Sequence, residues 1–225
     1  MEPTAPGDDG TRAMRALFAP SEAVRRIGAS ISVEDNLGDP PDPDEPGDPD
    51  PNDVFDRDAG AALFWHAMGA SDLRWTVRQC AAACLLETRA HRAGRRHDVG
   101  VLFASDGEVA GLNARWRGRD RPTNVLSWPG ADLAPGEAPP EHLGDLAFAY
   151  GTIEREADER STPIIDYLAV LAVHGILHCL GHDHPSDAEA DAMEALEARV
   201  LQHLGLPDPY AGDGSATGEA DSVTD

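Results

Sequence analysis

Lysine is missing from this sequence: the 18 basic residues are all arginine. Together with the richness in Ala, Gly and Pro, this bias points to a high-GC genome and says nothing of activity. Aromatics make up only 5% of the chain, and cysteines number 3. The three thiols, Cys80, Cys84 and Cys179, are odd in number and build no disulfide framework. They suit a reducing compartment, so a cytoplasmic protein is expected. Each is expected to pack as a small apolar group, Cys80 and Cys84 within an Ala-rich helical run. No apolar stretch reaches the roughly 18 residues of a membrane span. The opening MEPTAPGDDG has neither the basic nor the apolar region of a signal peptide. At 225 residues, the chain is expected to form one domain with tails.

A net charge of −23 argues at first against a nucleic-acid partner. Its distribution reverses that reading. Residues 34–58 hold eleven carboxylates against the single base Arg57, and residues 207–225 hold five carboxylates and no base. More than half of the excess acid therefore lies in two segments that bury little apolar surface and are not expected to fold.

Along the chain, residues 1–28 show no sustained period and are expected to be a flexible extension. Ile31 and Val33 alternate as in a short first strand, within 29–35. Residues 36–58 are rich in Asp and Pro and are expected to be a disordered insertion. The folded domain is expected over 59–206, and 207–225 as a flexible acidic tail. Within the domain, 59–93 has a helical pattern, broken near Gly69–Ser71. Strands are expected at 97–104, 124–128 and 143–150. Asp106 is expected to cap a helix through Arg115, and further helices fall at 151–160, 163–180 and 186–204. Ser186 with Glu189 forms a capping box. Helices interleaved with four short strands indicate an α+β fold.

The chemistry concentrates in HGILHCLGHDH, from His174 to His184. His174 and His178 stand four apart and share one helix face. Gly181 suits the left-handed turn that ends a helix and returns the chain, which brings in His184. A His pair at this spacing is by itself commonly structural. The glycine and the third His make it a ligand set for one divalent metal, Zn²⁺ by its nitrogen donors. Three His and an open fourth position describe a catalytic centre. The spacing matches a metzincin-like motif on a helix, yet Gly175 stands where a zinc peptidase carries its general-base Glu. Peptide hydrolysis is therefore the weaker reading.

A second constellation is LNARWRGRDRPTNVLSWP, residues 112–129. Arg115, Arg117, Arg119 and Arg121 alternate, with Trp116 among them. Guanidinium forks match phosphate oxygens, and an aromatic ring stacks on an unpaired base. A solvated charged loop has the same composition. Asp145, in LGDLAFA, either orients a metal-bound imidazole or caps a loop.

Taken together, LNARWRGRDRPTNVLSWP, LGDLAFA, HGILHCLGHDH and MEALEARVLQHLGLPDPY resemble the YbeY family of bacterial endoribonucleases, over about 97–211. The resemblance implies a small mixed four-stranded sheet packed with about five helices. It implies a single-strand-specific, metal-dependent endoribonuclease that acts on ribosomal RNA and the small ribosomal subunit, in 16S rRNA 3′-end maturation and in late-stage ribosome quality control. It assigns His174, His178 and His184 to a zinc ion and a catalytic part to Arg117. The alternative from another class is a ribosome-associated binding factor whose metal is structural.

Overall fold

The structure is a computed structural model that describes residues 20–37 and 64–211. Its elements run α1 (Glu22–Gly28), β1 (Ile31–Asp35), α2 (Ala70–Glu87), β2 (His97–Ala104), α3 (Asp106–Arg117), β3 (Val125–Pro129), β4 (His142–Ala149), α4 (Tyr150–Glu159), α5 (Ile164–Cys179) and α6 (Asp187–His203). The four strands form one mixed sheet in the order β1-β2-β4-β3. β1, β2 and β4 are parallel, and β3 pairs antiparallel with β4 as an edge strand. The α+β architecture is the expected one.

Helix α5 is the centre of the molecule because its sequence leaves it no polar side for most of its length. Leu168, Leu171, Val173, Ile176 and Leu177 are buried, and each is worth about 1.5–3 kcal/mol when removed from water. One side of α5 lies on the sheet, and α2 and α6 cover the rest. Cys80 and Cys84 face it from α2, with Sγ atoms 3.7 Å and 3.8 Å from the carbonyl oxygens of Ala169 and Val173. All three cysteines are buried and free.

Gly175 lets α5 approach the sheet. A Cβ there would come within 2.7 Å of Leu146 Cδ2 and 3.7 Å of Ser127 Cβ. Leu146 and Ser127 therefore point toward α5. Their neighbours Ala147 and Leu126 point the other way, into a second small cluster with Val109 of α3. α5 and α3 thus lie on opposite faces of the sheet.

Three local expectations need correction. Residues 22–28, expected within the flexible extension 1–28, form helix α1. The Ser21 hydroxyl caps it by accepting from Val24 N at 3.4 Å, and Ser21 N donates to His203 O at 3.0 Å. Seven residues are too few to show a period, and packing of Val24 and Ile27 supplies the stability instead. Asn36 and Leu37, expected in the disordered insertion, belong to the folded part. Asn36 Oδ1 accepts from Phe103 N at 2.9 Å, its Nδ2 donates to Phe103 O at 3.0 Å, and Leu37 is buried. The remainder of 36–58 lies outside the described residues, as do 1–19 and 212–225. Finally, Ser105 and not Asp106 caps α3, in a capping box with Glu108. The Asp106 carboxylate instead accepts from Thr152 N at 2.9 Å and Oγ1 at 3.0 Å, tying α3 to α4.

Among the described residues no single helix is long and apolar enough to cross a membrane.

Candidate metal centre

His174 and His178 occupy the last turns of α5, one turn apart on its only polar edge. The helix then stops on Gly181, whose φ of 84° is open to glycine at low cost. A Cβ there would also lie 2.2 Å from Leu133 O, so the turn and the 130–141 loop interlock only because that atom is missing. His182 N donates to Leu177 O at 3.0 Å and closes the turn. The returning chain carries His184 back beside the first two imidazoles.

The three rings converge. Their centroids lie 4.6 Å apart for His174 and His178, 5.4 Å for His174 and His184, and 5.1 Å for His178 and His184. One nitrogen from each lies within 4.8 Å of the others. The Nε2 atoms of His174 and His178 are 3.1 Å apart. Two ligands of a tetrahedral zinc at Zn–N of about 2.0–2.1 Å stand about 3.3 Å apart. The pair therefore fits a cation between its lone pairs. No fourth His, Cys, Asp or Glu joins the group among the described residues. A tetrahedral ion held here keeps one position for water or substrate.

Electrostatics favour a neutral, ligating imidazole at His178. Burial first, and then the neighbouring His174 and His184, push the His178 pKa down to about 4, against a smaller opposing pull from Asp183. Nδ1 of His174 lies 2.7 Å from Glu197 Oε1, on α6. An N–H there donates to the carboxylate and leaves Nε2 free to bind metal. Glu197 is 1% exposed, and its Oε2 accepts from the Tyr210 hydroxyl. Beside the motif is an open depression of about 190 Å³ lined by Pro135, His182, Asp183, Glu189, Ala192 and Met193.

Asp145 does not serve the triad. It alternates with Leu146 on β4, so it points to the sheet face away from α5. There it lies 3.4 Å from Nε2 of His142, whose Nδ1 is 2.5 Å from Asp98 Oδ2. The carboxylate that meets a histidine of the triad is that of Glu197. The signal was present in α6: Glu197 falls in the stripe Met193, Leu196, Val200, Leu201, where a carboxylate has no place unless it meets a partner.

The arginine run surrounds the end of α3. Arg115, Trp116 and Arg117 form its last turn, Gly118 caps it at φ 68°, and Arg119 and Arg121 follow. Asn113 Nδ2 donates to Arg121 O at 2.8 Å and pins the loop. Trp116 is 61% exposed, and the Arg115 guanidinium lies 5.4 Å from its ring centroid. Partial desolvation, and then Arg119, lower the Arg117 pKa. No hydrogen bond or ion pair among the described residues joins Arg117 to the three His. The helices that carry them, α3 and α5, lie on opposite faces of the sheet.

The chain is similar to known proteins over much of its length. Residues 67–205 match the family described as endoribonuclease YbeY. A relative from Allorhizobium ampelinum named endoribonuclease YbeY is 50% identical over 115 residues, which cover 51% of this chain and 69% of the relative. One of the same name from Rhodopseudomonas palustris is 53% identical over 118 residues, with the same coverage. A solution structure from Thermotoga maritima covers 69% of this chain and 95% of its own, at 19% identity and a TM-score of 0.39. The family match takes in both strands of the β3–β4 pair, the arginine run and all three convergent histidines, and the chain belongs to the YbeY endoribonuclease family.

Proposed function

We propose that this protein is a single-strand-specific metallo-endoribonuclease that acts in 16S rRNA 3′-end maturation and in late-stage ribosome quality control. The observation that carries the chemistry is the convergence of His174, His178 and His184 with no fourth protein ligand among the described residues. The nitrogen donor set favours Zn²⁺. When bound, such an ion supplies Lewis acidity toward a phosphoryl oxygen and a water acidified toward a pKa of about 7.

The protein's own groups do the rest. Glu197 holds His174 in the tautomer that presents Nε2. Arg117, at the end of α3, binds a phosphate and stabilises charge that develops on it. Arg115, Arg119 and Arg121 hold neighbouring phosphates, and Trp116 stacks on an unpaired base. The net charge of −23 opposes RNA only weakly, because exposed tail charges are screened beyond about 8 Å at physiological salt.

The alternative of a binding factor with a structural metal is disfavoured by the open fourth position, since structural zinc sites are closed by four protein ligands. Peptidase chemistry is disfavoured because Gly175, where the general base would stand, faces Leu146 and Ser127. The test is cleavage of single-stranded and duplex RNA by metal-loaded protein. The expected result is scission of the single strand alone, lost with chelator and in His178→Ala. Equal cutting of duplex, or cutting that survives chelation, overturns the proposal.

A further inference from the structure

The chain beyond α6 reaches the metal centre. Gly205, at φ 77°, turns the backbone out of the helix, and Leu206 N closes the turn on Leu201 O at 3.0 Å. Leu206 is buried and anchors the return. Asp208 Oδ1 then accepts from Tyr210 N at 2.9 Å, and Ala211 N donates to Asp208 O at 3.3 Å. This local turn aims the Tyr210 ring inward, where its hydroxyl donates to Glu197 Oε2. The other oxygen of the same carboxylate accepts from His174 Nδ1 at 2.7 Å. Burial, and then Glu197, push the Tyr210 phenol well above its ordinary range, so it keeps the proton it donates.

We infer that Glu197 and Tyr210 are positioning residues for the metal: the segment 206–211 fixes the Glu197 carboxylate, which in turn fixes the ring and tautomer of His174. The inference rests on the reading that the triad holds a divalent metal, but not on what the protein cleaves. A buried carboxylate with one oxygen unpartnered would be free to rotate about its terminal torsion and to lose its aim at Nδ1. Tyr210 removes that freedom. Neither residue touches a reacting atom. Both act through His174, and the segment that supplies Tyr210 lies past residue 205, where the family match ends.

The experiment measures zinc affinity of the full chain by competition with a chromophoric chelator, for wild type, Glu197→Gln, Tyr210→Phe and the double variant. Loss of a partner that orients a ligand typically weakens metal binding by about 10–100-fold. We expect a loss in that range for Glu197→Gln and a smaller loss, several-fold to about 10-fold, for Tyr210→Phe. The double variant should bind no more weakly than Glu197→Gln alone, because Tyr210 acts through Glu197. The imidazole nitrogen resonances of His174 should report an Nδ1–H tautomer in wild type and a mixture in Glu197→Gln. Tyr210→Phe removes one hydroxyl and leaves the ring packing, so it stays informative if Glu197→Gln does not fold. Wild-type affinity in a folded Tyr210→Phe overturns the role of Tyr210, and losses that add in the double variant overturn its action through Glu197. Zinc binding without any RNA cleavage by wild type would leave this inference standing and remove the proposed function.

Discussion

Gly175 and Leu146 are packed so closely that a single added carbon at Gly175 would lie 2.7 Å from Leu146 Cδ2. The position that supplies the general base in zinc peptidases of the HExxH type is here an internal contact between helix and sheet. Gly175→Glu should therefore gain no peptidase activity. It should lose stability by about 1–3 kcal/mol from overpacking, with a further cost for a buried carboxylate. Gly175→Ala should lose less, because better helix propensity returns up to about 1 kcal/mol. Urea unfolding midpoints of the three proteins decide this. A Gly175→Glu protein as stable as wild type would show that the contact yields freely.

Zinc should stabilise the fold through the triad. At a free concentration about 100 times Kd, one bound ion adds about 2.7 kcal/mol to the unfolding free energy. His178→Ala should abolish this zinc-dependent rise in Tm. An undiminished rise in that variant would place the ion elsewhere.

The arginine run and the metal should be separable. Arg117→Ala should lower the cleavage rate by about 10²-fold or more if its guanidinium meets the transition state. Zinc content should stay at the wild-type level. Trp116→Ala should weaken single-strand binding by about 1–3 kcal/mol, the usual worth of one stacked base. It should leave Tm nearly unchanged, since the ring is 61% exposed. Unaltered RNA affinity in Trp116→Ala would remove that ring from the interface.

His142 sits between Asp98 and Asp145, and the Asp98 hydrogen bond chiefly raises its pKa. A raised folded pKa means that the contribution is fully present below the unfolded value of about 6.5 and fades as pH climbs through the folded value. His178, shifted down to about 4, acts in the opposite sense. The useful quantity is therefore the difference between wild type and Asp98→Asn. That difference should be largest near pH 5.5 and shrink toward pH 8. A gap in urea midpoint that stays constant across this range would contradict the assignment.

Much of the site was legible because it is local. Three candidate ligands and the turn that joins them lie within eleven residues, and helix periodicity with one glycine is enough to bring them together. Glu197 and Tyr210 were not assigned, because their role exists only once α6 packs on α5 and the chain after α6 folds back. The two open readings of Asp145 have a different origin. β4 is covered on both faces near Leu146–Ala149, so apolar alternation does not say which side is which. Residue types placed the four strands well, but the order β1-β2-β4-β3 is a property of long-range pairing that no local pattern carries. Helix α1 was hidden for a related reason, since its stability comes from partners distant in sequence.

Helix α3, whose last turn carries Arg115 and Arg117, and α5, which carries His174 and His178, lie on opposite faces of the sheet. Under the proposed function, a polynucleotide that engages both must wrap the rim of the sheet. A duplex resists that curvature: double-helical DNA stays nearly straight over about 50 nm. An unpaired strand turns it with a few rotations of its backbone. Bending stiffness then selects unpaired substrate mechanically, beside the stacking that Trp116 offers, and it distinguishes no base from another.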